Sequence, residues 1–274
     1  MITVSGLYIA PVKSGRMTSL DIAFIGKTGF NYDRLWMAVD AATGMFVAQR
    51  SDRGLGIGIT SMCLLAPMVV FPFFTLNAPN MPALKLPMAG LPGPEMEVQV
   101  WKDHVIAIDQ GEEAAEWITQ YLSRERPGKY RLVRKAEDGV RAAKHGDAQV
   151  AFQDADSFLI ISQESLDDLN SRLTDELPMD RFRPNIVISG CLPYEEDHMT
   201  RIRIDGVIFT GTTLCVRCPI TTTNQLTAVR GKEPLRTLAT YRHFERGVVF
   251  GKNFLHSSEG MLSVGDEVKV LERD

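Results

Sequence analysis

Short runs of β-branched and aromatic residues, each cut off by Gly, Pro or Asp within a few positions, recur through the first fifty residues. That rhythm constrains the fold more than any other feature. Ile2-Thr3-Val4 and Leu7-Tyr8-Ile9 run into the turn Pro11-Val12-Lys13-Ser14-Gly15. Leu20 to Ile25 reads as one strand ending at Gly26-Lys27-Thr28-Gly29. Leu35 to Asp40 reads as the next, turning through Ala41 to Gly44 into Met45-Phe46-Val47-Ala48. Strand signals this closely spaced predict antiparallel, barrel-like architecture.

Asn77 to Pro94 is crowded with Pro and Gly and is expected to be an exposed excursion between strands. Glu97 to Trp101 and His104 to Ile108 resume the strand pattern. A helix is predicted over Gly111 to Ser123, with Ala114, Trp117, Ile118, Tyr121 and Leu122 on one stripe. Arg124 to Gly128 reads as a linker, which divides the chain into domains 1–124 and 125–274. In the second domain Lys129 to Arg134, Phe158 to Ile161 and Asn185 to Gly190 are predicted strands. Ser162 is a plausible cap for a helix to about Leu173, and Asp205-Gly206 closes a hairpin. Pro234 opens a helix over Leu235 to Tyr241, and Val264 to Leu271 supplies a turn and a final strand.

Hydrophobic residues make up 45% of the chain and charged residues 23%, as expected for a soluble globular protein of 274 residues. The net charge of −4 argues against binding nucleic acid through phosphate neutralisation, though it leaves room for a local basic pocket. The longest apolar run, Met62 to Leu76, contains Pro67 and Pro72 and reads as buried strands, not as a membrane span. The N-terminus enters the strand pattern without signal-peptide anatomy, and four cysteines form no dense disulfide framework. A cytoplasmic protein with neither a nucleic-acid nor a membrane partner is expected.

The stretch best suited to chemistry is Leu214-Cys215-Val216-Arg217-Cys218-Pro219-Ile220-Thr221-Thr222-Thr223. A thiolate is a soft ligand and a nucleophile, and a neighbouring guanidinium favours its ionisation. A zinc site would need a second pair or histidines at metal spacing. Cys63 and Cys191 are isolated, and the five histidines form no close pair. A thioredoxin-like motif would precede a helix, whereas Pro and three Thr follow here. Two buried cysteines packing as small hydrophobes is the plain competing reading.

Basic and polar groups at loop ends add to this. Lys13-Ser14 lies in a turn whose amides suit a phosphate; Arg34 follows Asp33; Arg183 and Asn185 precede a buried strand. Each alone reads more readily as a salt bridge or a solvated charge than as a ligand contact. Together with Arg217 they suggest an anionic ligand.

Several segments, in order, resemble the MOSC family (molybdenum cofactor sulfurase C-terminal domain) in its two-part form with an N-terminal β-barrel, nearest its amidoxime-reducing members. The resemblance runs nearly end to end. It is carried by Tyr8-Ile9-Ala10-Pro11-Val12-Lys13-Ser14, Asp33-Arg34-Leu35-Trp36 and Phe158-Leu159-Ile160-Ile161-Ser162. Its strongest pieces are Phe182-Arg183-Pro184-Asn185-Ile186-Val187-Ile188-Ser189-Gly190, Cys215-Val216-Arg217-Cys218 and Lys232-Glu233-Pro234-Leu235-Arg236. With the strand pattern it implies a β-rich α+β fold: two β-barrel-like domains with a few peripheral helices and a cofactor between them.

The resemblance further implies a molybdenum cofactor (molybdopterin) whose metal is bound by Cys218, a soft thiolate ligand. Lys13, Ser14, Arg34, Arg183 and Asn185 match positions around the pterin and its phosphate. Asp154 is retained from a polar stretch, and Arg217 either binds the cofactor or buttresses the cysteine loop. The implied reaction is reduction of an N-hydroxylated or N-oxide-type small molecule. The chain ends soon after its last strand, so a separate iron–sulfur, flavin or cytochrome protein is the expected electron donor. Asp156, Asn224-Gln225-Leu226 and Asn253 depart from the family pattern, and an acid at 156 is unfavourable beside a phosphate unless it points elsewhere. The alternative is a cofactor- or sulfur-carrier module using Cys218 as a persulfide, without reductase turnover.

Overall fold

The computed structural model describes residues 1–51, 54–70 and 72–274. Alternating apolar residues along the strands build the cores. In strand Thr3–Ile9, Val4, Leu7 and Ile9 are buried, with a register shift between Val4 and Gly6. This strand sits inside the largest sheet, of nine strands. Its order is 18–20, 3–9, 186–189, 158–162, 247–256, 207–216, 199–204 and 268–273, with 243–244 paired to 247–256. All its pairings are antiparallel except that of 158–162 with 186–189. Phe158 stands at the centre of the core on this sheet, edge-on to Phe30 at 4.9 Å and to Phe209 at 5.2 Å.

A second antiparallel sheet runs 95–100, 103–109, 130–135 and 36–40. A three-stranded sheet of 84–87, 73–77 and 66–70 contributes to the same core, where Trp36 and Phe74 stack at 4.4 Å. Helix Gly111–Leu122 closes that core with Trp117, Ile118 and Tyr121. Glu112 and Glu113 in its first turn suit the positive end of the helix dipole. The molecule is therefore a β-rich α+β fold with few helices.

Strand pairing crosses the linker region in both directions. Tyr130–Lys135 pairs with Trp36–Asp40, Thr3–Ile9 pairs with Ile186–Ser189, and Gly260–Ser263 pairs with Ile22–Gly26. The stretch from Leu20 to Ile25 is not one strand. It breaks at Asp21, so that Thr18–Leu20 serves the nine-stranded sheet and Ile22–Gly26 serves another. Nor is Asn77 to Pro94 simply an exposed excursion: Leu84–Pro87 pairs with Phe73–Asn77, and Leu84, Leu86 and Met88 are buried. In Met62 to Leu76 the strands 66–70 and 73–77 expose Met68, Val70 and Phe73, and Phe71 lies outside the described residues.

Ser162 caps helix Gln163–Asn170, its hydroxyl accepting from Ser165 N at 3.1 Å. Asp205-Gly206 turns the hairpin whose second strand reaches Val216, which puts Cys215 in a strand and Cys218 just beyond it. The helix after Pro234 is only Leu235–Leu238.

Candidate functional site

Pairing in the nine-stranded sheet brings the loops of interest together. Strands 3–9 and 186–189 are antiparallel, with Leu7 opposite Ile186, so the exit of the first lies beside the entry of the second. Strand 158–162 is parallel to 186–189, which brings the loop carrying Asp154 to the same end. The segment after Ile9 is pinned to the Arg34 turn: Arg34 N donates to Ala10 O at 2.9 Å and Lys13 N to Trp36 O at 2.8 Å. The cysteine loop is tied in by Arg217, whose N donates to Val248 O at 2.7 Å and whose Nη2 donates to Phe182 O at 2.5 Å.

The result is a cleft of about 960 Å³. Lys13, Ser14, Arg34, Asp154, Arg183, Asn185, Arg217 and Cys218 all line it. Among the described residues, nine Lys or Arg side chains and three Asp line this cleft, in a chain with 30 basic and 34 acidic residues. An acidic protein has concentrated positive charge in one concavity, which suits an anionic ligand.

Four of the lining residues, Ser14 (φ 66°), Arg34 (φ 48°), Trp101 (φ 58°) and Arg183 (φ 59°), occupy the left-handed backbone region. Non-glycine residues there are strained, and such strain persists only where surrounding contacts hold it. The contacts are visible. Gln49 Nε2 donates to Ser14 O at 2.8 Å, Arg183 Nη1 to Gly15 O at 2.7 Å, and Arg34 Nη1 to Asp33 Oδ2 at 2.5 Å. Asp33, fully buried, also accepts from Ala10 N at 2.8 Å and Asn185 Nδ2 at 3.0 Å.

The side chains differ in how free they are. Asn185 is spent on the scaffold: its amide nitrogen serves Asp33 and Tyr8 O, and its oxygen accepts from Leu159 N. Arg217 braces the loop, with Nη1 donating to Cys215 Sγ at 3.0 Å. Lys13 is buried, donating to Phe152 O at 2.7 Å and pairing with Asp154. Burial pushes the Lys13 ammonium down and the Asp154 charge resists this. Burial works to raise the Asp154 carboxyl, but Lys13, the Trp101 indole at 3.0 Å and Arg50 together hold it well below the usual carboxylate range. Asp156 is engaged in the cleft wall, accepting from Thr212 Oγ1 at 2.5 Å and contacting His145 Nδ1 at 2.9 Å.

Like Arg217 at Nε, Arg183 keeps one guanidinium nitrogen unspent. Its Nη2 is buried with no hydrogen-bond partner. Burial first, and then the charge of Arg34, lower its pKa to about 10, so it stays cationic at neutral pH. A buried donor without an acceptor is costly and calls for one. Across the cleft Cys218 is half-buried, and no hydrogen bond reaches its sulfur among the described residues. Cys215 differs, because burial raises its thiol and Arg217 occupies it. The donor set thus fits a group with a phosphate end and a thiophilic metal. No cluster of three or more His, Cys, Asp or Glu converges as an ion site among the described residues. A metal on Cys218 has to bring most of its own ligands.

Trp101, Arg50 and Arg141 also line the cleft, without standing out in the sequence as site residues. Arg50 lies over the Trp101 ring at 4.7 Å, and Arg141 Nε donates to Asp103 Oδ2 at 2.8 Å. The one available signal was Trp101 at the end of a predicted strand with Lys102 directly after it.

Comparison with known proteins agrees with this architecture. The MOSC domain family matches residues 147–269, and the MOSC N-terminal beta barrel domain matches residues 1–125. Mitochondrial amidoxime-reducing component 1 of Mus musculus is 32% identical over 290 residues, covering 98% of this chain and 82% of the relative. The Homo sapiens protein of the same name is 32% identical over 294 residues, covering 98% and 83%. Among solved structures, the YUAD protein from Bacillus subtilis aligns over 98% of this chain and 94% of its own, at 14% identity and a TM-score of 0.44. No helix among the described residues is long and apolar enough to cross a membrane. With both domains matched in order and relatives this similar over nearly its whole length, the chain belongs to the MOSC-domain family, in the form that carries the MOSC N-terminal β-barrel.

Proposed function

We propose that this chain holds a molybdenum–molybdopterin cofactor through Cys218 and reduces N-hydroxylated or N-oxide-type small molecules. Electrons come from a separate iron–sulfur, flavin or cytochrome protein. The observation that carries the reading is the buried, unpartnered Arg183 Nη2 in the same cleft as the unengaged Cys218 thiol. Arg183, Arg34 and the strained Ser14 turn would hold the terminal phosphate, since paired guanidinium forks match a dianion. Cys218 would supply the protein ligand to the metal. When bound, the cofactor supplies two-electron, oxygen-transfer chemistry.

In this reading the N–O bond of the substrate breaks; an N-hydroxylated substrate gains an N–H bond in its place, and an N-oxide is left as the free amine. The oxygen leaves as water, with two electrons from the donor and two protons from solvent. The chain's own part is positioning. Asp33 and Asn185 lock Arg34, Arg217 braces the cysteine loop, and Lys13 is held by Asp154 as a fixed positive charge. We take 1–124 and 125–274 as the two units and the cleft as their joint, Lys13, Ser14 and Arg34 coming from the first. A reducing, cytoplasmic compartment suits the four free cysteines.

The test is elemental and pterin analysis of protein from a cofactor-competent host, with benzamidoxime reduction driven by reduced viologen. Stoichiometric molybdenum and pterin together with benzamidine formation is the expected result. Protein with no pterin and a persulfide mass on Cys218 would assign it to sulfur carriage instead.

A further inference from the structure

Three cations at the mouth of the cleft take no part in the framework just described. Lys102 sits on the turn between strands 95–100 and 103–109, Lys144 on the loop before strand 158–162, and Arg246 on the turn before strand 247–256. All three are exposed, all line the cleft, and none forms an ion pair with another described residue. They converge from three separate segments of the chain. Among the described residues, every acid lining the cleft is already taken, so their charge is not cancelled by one of these. Asp103 accepts from Arg141 at 2.8 Å, Asp154 pairs with Lys13, and Asp156 serves Thr212 and His145. Val140, 69% exposed, puts an apolar side chain among them.

From this we infer that the mouth selects N-oxygenated substrates that carry an oxyanion, a carboxylate or a phosphate, on an apolar body. The inference rests on the reductase reading above. Arg34 and Arg183, deeper in the cleft, are assigned to the cofactor, so the outer charges remain for what enters after it. Like-signed charges at the rim of a low-dielectric cleft raise the local concentration of an anion and weaken with salt.

The test uses molybdenum-loaded protein with dithionite-reduced viologen, so that no donor protein takes part. Benzamidoxime, 4-carboxybenzamidoxime and a phosphate ester of 4-hydroxybenzamidoxime are compared. The charged substrates are expected to exceed the neutral one in kcat/KM by about tenfold. That ratio should collapse toward one in about 0.5 M salt and in the combined K102Q, K144Q and R246Q variant. Preference for only one charged substrate would narrow the oxyanion to that source. Calorimetric binding of 4-carboxybenzamidine should weaken in the same variant, a readout free of turnover.

A native ratio of one or less, or a ratio unchanged in the variant, overturns the inference. So does a variant that keeps its substrate ratio and slows only when an acidic donor protein supplies the electrons, because the cations then dock that protein. If none of the three substrates is reduced, the reductase reading falls, and calorimetry still decides the anion preference.

Discussion

Asn185 donates its side-chain amide to Asp33 Oδ2 at 3.0 Å, joining the entry of a second-half strand to a first-half turn 152 residues away. The same carboxylate accepts from Arg34 Nη1 and from Ala10 N, so one buried acid holds three chain segments. Arg34 is 13% exposed and has no other carboxylate partner among the described residues. Removing one member of such a buried pair strands the other charge. Asp33→Ala is therefore expected to cost about 3–5 kcal/mol in urea unfolding. Asn185→Ala should cost about 1–3 kcal/mol, because it strands a donor and an acceptor but no charge.

Cys218 and Cys215 should separate cleanly on substitution. Cys218 Sγ makes no hydrogen bond among the described residues and its side chain is only partly buried. Cys218→Ala is then expected to change stability by less than about 0.5 kcal/mol while abolishing molybdenum retention and reductase activity. Cys215→Ala leaves Arg217 Nη1 without its sulfur acceptor, so the expected outcome is retained metal with a less stable loop. Elemental analysis beside thermal melts checks both. Full metal content in Cys218→Ala would refute the ligand assignment.

Arg183 offers a test that needs no metal. Its free Nη2 and the neighbouring Arg34 should bind inorganic phosphate in the cofactor-free protein. At tens of millimolar phosphate the expected rise in Tm is about 2–4 °C, by mass action on the folded state alone. Arg183→Gln should remove that rise, and Arg183→Lys should restore only part of it, since lysine keeps the charge but loses the fork. An identical rise in all three proteins would mean that the phosphate binds elsewhere.

How much of this was legible in the sequence depended on whether the signal was local. Helix Gly111–Leu122 declared itself because its apolar stripe repeats at helical spacing, and Ser162 because a cap is a short-range hydrogen bond. The break at Asp21 was not legible: a strand that changes sheets keeps its side-chain alternation, and only tertiary pairing shows the transfer. Leu84–Pro87 was hidden by its prolines, which an edge strand tolerates. In the cleft, the loop-end basic and polar residues and the cysteine pair were legible in the sequence, whereas Asp154 and the choice of Cys218 over Cys215 came only from the family resemblance. That Asn185 is committed to scaffold contacts, while Arg183 keeps a free Nη2, is a matter of geometry that no spacing encodes.

Cys63 makes stability depend on alkaline pH in a direction that can be worked out. It is fully buried, with Sγ 3.8 Å from Asn224 O, and burial pushes its thiol up from an ordinary 9.0 to about 11. Below pH 9 the thiol is protonated in both folded and unfolded chains and contributes nothing to the slope. Between 9 and 11 only the unfolded chain releases the proton, so the unfolded state binds fewer protons and stability falls as pH rises. The loss is about 1.4 kcal/mol per pH unit for this group, and it stops once the folded thiol also ionises. Cys191, raised to about 12 by burial first and by Glu164, adds a slope of the same sign, so the measurement has to be differential. Cys63→Ala lowers stability at every pH by opening a small cavity, but it removes one titrating thiol. Unfolding free energies at pH 8 to 11 should therefore fall more steeply in the native protein than in Cys63→Ala, and parallel curves would show that Cys63 ionises without a folding penalty.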